Sequence, residues 1–226
     1  MPARWRDSQS NIKNQPSKIL LCLINLSFVQ KKPVRILLLD NIDSFTYNIF
    51  HYLEALGCDT TVIDHTAIVS EDLERFDALV ISPGPGLPKT SGRLMEILAL
   101  AVGKEMPILG VCLGMQAIAE HFGGTLYNQP EVKHGQPETI TQNGKSVLFN
   151  GIPGSFTAGL YHSWAVSEPL PGALIATAFS ENGVMMSLEH KTLPVYGVQY
   201  HPESILSEWG MEVFANFLSV SDTRSN

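Results

Sequence analysis

Pro107-Ile108-Leu109-Gly110-Val111-Cys112-Leu113-Gly114-Met115-Gln116 is an apolar run that meets a glycine-flanked cysteine and continues as a helical pattern. A buried strand that turns sharply into a helix has this form, with the residue at the turn held out into a cleft. The backbone there is tight, so small residues must flank the reactive one. The helix that follows aims its N-terminal amides at the turn, and those amides and the helix dipole favour a thiolate. The spacing therefore predicts Cys112 as a nucleophile suited to attack on an acyl carbon.

Outward from this turn, strand and helix signals alternate. Residues 34–40 are a continuous apolar run ending in an acid, as a strand buried on both faces should be. Phe45, Ile49, Leu53 and Leu56 form an apolar helical stripe, with Ser44 placed to cap it and Gly57 to stop it. Residues 60–64 and 78–82 predict the second and third strands. Ser70 opens a short acidic-first helix, and residues 91–102 carry Leu94, Ile97, Leu98 and Ala101 on one helical side. The elbow helix runs on to Phe122-Gly123-Gly124. This order predicts an α/β fold: a doubly wound, mostly parallel sheet flanked by helices. Beyond Gly124 the pattern changes to short strands with hairpin-turn signals at 142–145 and 181–183, a small antiparallel section in the C-terminal half. A helix over about 208–220 closes the domain.

A chain of 226 residues with 44% apolar content suits one compact domain with an ample core. Cys22, Cys58 and Cys112 form no disulfide framework and no paired metal spacing, which points to a reducing, cytoplasmic setting. Of the 15 Lys/Arg and 22 Asp/Glu, residues 1–33 hold six bases and one acid, leaving nine bases and twenty-one acids for the body. An acidic body argues against nucleic-acid binding. Residues 1–33 are expected to be a poorly ordered extension, or the result of a start assigned too far upstream. The apolar stretch 19–29 is too short to span a bilayer, though a membrane-surface anchor stays open for it. The domain proper is placed at 34–220, with 221–226 as a tail. The histidines show no metal spacing, and no metal site is assigned.

A second segment strengthens the nucleophile reading. Val195-Tyr-Gly-Val-Gln-Tyr-His201-Pro-Glu203 is another apolar strand, ending in His-x-Glu. A histidine at a strand's C-terminal end can take a thiol proton, and a carboxylate two residues on can orient the ring.

These two motifs resemble those of class I (triad) glutamine amidotransferases. Asp40-Asn-Ile-Asp43-Ser-Phe-Thr-Tyr-Asn48, Ser82-Pro-Gly84-Pro-Gly86 and Tyr161-His-Ser163-Trp164 narrow the likeness. The first of these resembles the small subunits of anthranilate synthase and aminodeoxychorismate synthase. The resemblance implies Cys112 as nucleophile on L-glutamine, His201 as proton acceptor and donor, and Glu203 as its orienting carboxylate. It implies oxyanion donors from the backbone of Leu113 and Gly86 in the Gly84-Pro85-Gly86 loop. Gln116, one turn beyond Cys112, and the backbone of Ser163 and Trp164 are expected to hold the substrate. Leucine is the commoner residue at position 164 and histidine at 115, and Met115 is read as packing. Asn41, Asp43, Ser44 and Tyr47 are assigned to capping or an interface, and His162 to possible partner contact. The implied partner is a chorismate-using synthase subunit, which would hold Mg²⁺; this chain would need no cofactor of its own. Amidotransferase subunits of GMP or carbamoyl phosphate synthesis, and a non-catalytic docking subunit, are the alternatives.

Overall fold

A computed structural model describes residues 32–222. The chain divides into Met1–Lys32 and Pro33–Asn226, and the sheet, its helices and the site all belong to the second unit. The expectation for the first 33 residues falls almost wholly outside the described residues.

Among the described residues nine strands form one sheet: β1 (Arg35–Asp40), β2 (Asp59–Asp64), β3 (Ala78–Ile81), β4 (Ile108–Val111), β5 (Leu126–Gln142), β6 (Ser155–Val166), β7 (Leu174–Ser180), β8 (Met185–His190) and β9 (Val195–Val198). Their spatial order is β2-β1-β3-β4-β9-β8-β7-β5-β6. The strands from β2 to β9 in that order pair in parallel, and those from β8 outward are antiparallel. Among the described residues four α-helices accompany them: α1 (Thr46–Ala55), α2 (Leu94–Gly103), α3 (Leu113–His121) and α4 (Gly210–Asp222).

The doubly wound reading follows from which side chains each strand sends to each face. Ile36 and Leu38 of β1 pack in a core with Ile49 and Leu53 of α1 and Phe214 and Phe217 of α4. Leu37 and Leu39 point the other way, into a core with Leu94, Ile97 and Leu98 of α2 and Met115 and Ile118 of α3. Strand alternation thus splits one apolar run between two cores.

The last strand positions the site. β9 returns to the sheet centre and pairs in parallel with β4, Val111 opposite Val198. Parallel strands end on the same edge, so the loops after β1, β3, β4 and β9 converge there, where open α/β sheets place their ligands.

Several local expectations are corrected. Ser44 is exposed and does not cap α1; the turn is instead held by Asp43, whose Oδ1 accepts from Phe45 N (2.8 Å), and by Asp40, whose Oδ1 accepts from Thr46 Oγ1 (2.7 Å). The short acidic-first helix expected from Ser70 is present as a 3-10 helix over Ser70–Arg75, with Glu71 and Asp72 in its first turn. The turn at 142–145 is not a tight hairpin. The buried Leu148 and Phe149 draw the chain into a 3-10 turn, tied down by Asn216 donating to the carbonyls of Leu148 and Asn150, before β6 begins. The 181–183 turn does join the antiparallel pair β7 and β8, with Gly183 at φ 74°. The antiparallel section is larger than expected, because β5 runs for 17 residues. α4 extends to Asp222, into the segment read as a tail.

Candidate active site

Cys112 stands between β4 and α3 with φ 51° and ψ −100°, a strained conformation for a residue with a side chain. Its amide donates to Val198 O (2.8 Å), and its carbonyl accepts from Gln116 N (3.1 Å). The flanking glycines have a steric cause. A Cβ on Gly110 would lie 2.4 Å from the carbonyl carbon of Gly114, and one on Gly114 would lie 2.7 Å from Ile81 O. Helix α3 therefore packs directly onto the ends of β3 and β4. Met115, fully buried, occupies the space left by Gly197 of β9, where a Cβ would come within 2.9 Å of it. Packing is the role seen for Met115.

His201 follows β9 and is nearly fully buried, as is Glu203. His201 Nδ1 bonds Glu203 Oε1 at 2.9 Å, and the His201 amide donates to Gly159 O of β6. The rings of Phe45 and Tyr161 close over the imidazole at 5.1 and 4.8 Å. Burial alone pulls the ring's pKa down; hydrogen bonding and charge from Cys112 and Glu203 more than reverse this and raise it to about 10. The buried pair favours a protonated imidazole between a sulfur and a carboxylate. Nε2, the nitrogen not engaged by Glu203, is the one available for proton exchange with Cys112.

Beside the sulfur lies a cleft of about 210 Å³, lined by Gly84, Pro85, Gly86, Cys112, Gln116, Tyr161, His162, Ser163 and Trp164. Six sequence-predicted residues besides Cys112 thus meet at one place, brought from β3, α3 and β6. Leu113 begins α3, so its N–H has no acceptor within the helix. Gly86 has φ 77°, and a Cβ there would have only Thr90 Oγ1 nearby, at 3.7 Å, so its backbone is open to close approach. Gly84 lies so close to Asn41 and Leu113 that a Cβ would sit 2.5 and 2.7 Å from their side chains. Asn41, buried, donates from its backbone N to Ser82 Oγ and from Nδ2 to Ser82 O, both at 2.9 Å. Its role is to fasten the loop after β3 to that after β1 by hydrogen bonds at the ends of these strands.

Gln116 is committed more fully than its spacing suggested. Nε2 donates to Trp164 O (2.9 Å) and to Gln199 Oε1 (3.2 Å), so a substrate would meet its Oε1. Gln199, missed in the sequence, donates from Nε2 to Cys112 Sγ at 3.5 Å. The signal was available in part: Gln199 stands two residues before His201, just past the end of β9. His162 is buried rather than presented to a partner, with Nδ1 2.7 Å from Gln129 Nε2 and 3.0 Å from Trp164 O. Burial lowers its pKa to about 4, so it lines the cleft as a neutral ring. Among the described residues, no group of three or more His, Cys, Asp or Glu is arranged to hold a metal ion.

The buried His201 stores a proton beside a sulfur, and the N–H of Leu113 next to that sulfur has no acceptor within its helix. This is the equipment of an α/β enzyme that passes an acyl group through a cysteine. Comparison with known proteins makes the class specific. Residues 37–220 match the glutamine amidotransferase class-I family, and the chain belongs to that family. It is 41% identical over 189 residues to anthranilate synthase component 2 of Azospirillum brasilense, covering 82% of this chain and 96% of the relative. It is also 41% identical over 186 residues to aminodeoxychorismate/anthranilate synthase component 2 of Bacillus subtilis, covering 81% and 95%. Among solved structures, a Thermoplasma acidophilum protein provisionally described as a GMP synthase subunit superposes with TM-score 0.79 at 26% identity, over 86% of this chain and 97% of that one.

Proposed function

We propose that this glutamine amidotransferase is the glutaminase subunit of a chorismate-aminating synthase. It hydrolyses L-glutamine to glutamate and ammonia, and the ammonia passes to a partner that makes anthranilate, 4-amino-4-deoxychorismate or both. The observation that carries the chemistry is Cys112, strained at the end of β4 and interacting with the buried His201–Glu203 pair.

The Cys112 sulfur attacks the side-chain carboxamide carbon of glutamine. The oxyanion is met by the N–H groups of Leu113 and Gly86, already in place and costing no reorganisation. His201, holding the thiol proton, delivers it to the departing nitrogen, and ammonia leaves behind a glutamyl thioester. His201 then takes a proton from water, whose oxygen attacks the thioester; glutamate is released, and the sulfur and ring return to their starting state. Glu203 keeps Nδ1 engaged throughout, so that Nε2 faces the reaction. Gln116 Oε1 and the backbone of Ser163 and Trp164 hold the amino-acid end.

The partner would dock on the edge that carries the cleft. Ile42, Tyr47 and Trp209 are exposed there, and Ile205 is 99% exposed. Ile42 and Trp209 are also held at φ 61° and 59°, strain that leaves both side chains among the exposed ones in the free chain. Docking would cover this apolar surface and keep ammonia from water; the free subunit is expected to turn over glutamine slowly. Mg²⁺ belongs to the partner, and the complex is expected in the cytoplasm. Among the described residues no helix is long and apolar enough to cross a membrane.

The test is reconstitution with each candidate synthase subunit from the same source, with chorismate, glutamine and Mg²⁺. Anthranilate with one partner only assigns a dedicated tryptophan-pathway subunit. 4-Amino-4-deoxychorismate alone assigns folate synthesis, and both products mean one shared subunit. No product and no glutamate with any partner overturns the reading.

A further inference from the structure

Gln199 is fully buried at the end of β9 and is used by no step above. Its backbone N–H is spent on Met186 O, and its side chain lies between Gln116 and the Cys112 sulfur. Which end of a glutamine amide faces which neighbour is decided by the hydrogen-bond network. Here the network has a fixed starting point. Trp164 O is a backbone carbonyl and can only accept, so the Gln116 atom 2.9 Å from it is the amide nitrogen. The same nitrogen lies 3.2 Å from Gln199, which must turn its oxygen toward it. The remaining end of Gln199, its NH₂ group, is then forced toward Cys112 Sγ at 3.5 Å.

We propose that Gln199 is a catalytic residue whose amide N–H stabilises the Cys112 thiolate, with its orientation imposed through Gln116 by the Trp164 carbonyl. A thiol is a poor acceptor and a thiolate a good one, so a donor fixed on the sulfur favours the charged form. The contact also fixes the sulfur's direction. Because the same carbonyl belongs to the strand that grips the substrate, the polarity of the nucleophile's environment is anchored in the substrate-binding wall. The ionisable groups facing the sulfur are His201, from the loop after β9, and Glu203 behind it; His162 from β6 lines the same cleft.

The test is the pH profile of Cys112 alkylation by iodoacetamide in the full chain, with the modified peptide quantified by mass spectrometry. This reads the sulfur alone, so it is independent of whether glutamine or chorismate chemistry is correctly assigned. Gln199→Met keeps the volume and removes the donor; its midpoint is expected to rise by about one pH unit, a roughly tenfold loss of rate at lower pH. Gln116→Leu frees the Gln199 amide to rotate, and its midpoint is expected to rise by less. Gln199→Glu places a carboxylate by the sulfur and is expected to raise it furthest. A folded Gln199→Met chain with an unmoved midpoint overturns the proposal. In the unsubstituted chain, the side-chain amide protons of Gln199 should shift in NMR spectra across the same midpoint. If they do not respond, the proposal fails whether or not the variants fold.

Discussion

Replacing Gly110 by alanine tests whether the elbow's glycines are there for steric reasons. The added Cβ would stand 2.4 Å from Gly114 C, 2.5 Å from Gly114 O and 2.7 Å from Met115 N. All three are backbone atoms, so no side chain can swing aside. Carbon atoms in good contact lie about 3.5 Å apart, so α3 must retreat from β4 by about 1 Å. Overpacking of this kind costs about 1–3 kcal/mol, and for a domain of this size each kcal/mol lowers Tm by about 2–4 °C. The same movement carries the Leu113 N–H away from the oxyanion, and a misplacement of about 1 Å costs about 10²-fold in rate. Gly103→Ala is the control: it lies at the end of α2, and an added Cβ there would meet nothing within 4 Å. Glutaminase turnover in the reconstituted complex, with thermal melts of both variants, checks the prediction. A Gly110→Ala chain with ordinary turnover and melting temperature would refute the reasoning, because the clash would then have been absorbed without moving the site.

Other outcomes follow from the buried pair and the exposed edge. The folded His201 ring holds its proton more tightly than its ordinary value of 6.5 allows, up to about 10. Its stabilising contribution is therefore complete below about pH 6.5 and lost as pH rises toward 10; Glu203→Gln should flatten that part of a melting-temperature-against-pH curve. His162 has the opposite sign: its pKa is lowered to about 4, so stability falls as pH drops from 6.5 toward 4. Acid melts of His162→Gln should lose that dependence. Ile205→Asp changes a side chain that is 99% exposed, so the free chain should melt within about 0.5 kcal/mol of the original. Its glutamine-dependent product formation should fall at limiting partner, as titration with the synthase subunit would show.

The elbow and the His-x-Glu pair were legible because each leaves a mark on the local sequence. Gly110 and Gly114 are where backbone meets backbone, and the segment His201-Pro202-Glu203 just past β9 sets the imidazole and its carboxylate together. The strand alternation in Arg35–Asp40 likewise announced two cores. What was not legible depends on atoms distant in the chain or on choices within a single turn. Asp40, Asp43 and Ser44 all carry acceptors, and only the turn's conformation, with Ile42 at φ 61°, decides which of them is used. His162 is buried because β5 lies beside it and supplies Gln129, a contact across 33 residues. The commitment of both Gln116 N–H bonds rests on Trp164 and Gln199, 48 and 83 residues away. Gln199 could have been found from its spacing to His201, but its partner could not.

The central claim is that Cys112 takes ammonia from glutamine and that amination of chorismate happens on the partner. The direct measurement compares amination of chorismate by the reconstituted complex, supplied with glutamine or with an ammonium salt, for the unsubstituted chain and for Cys112→Ser. The account predicts that Cys112→Ser abolishes product from glutamine and leaves product from ammonium unchanged. Undiminished product from glutamine in Cys112→Ser would contradict it.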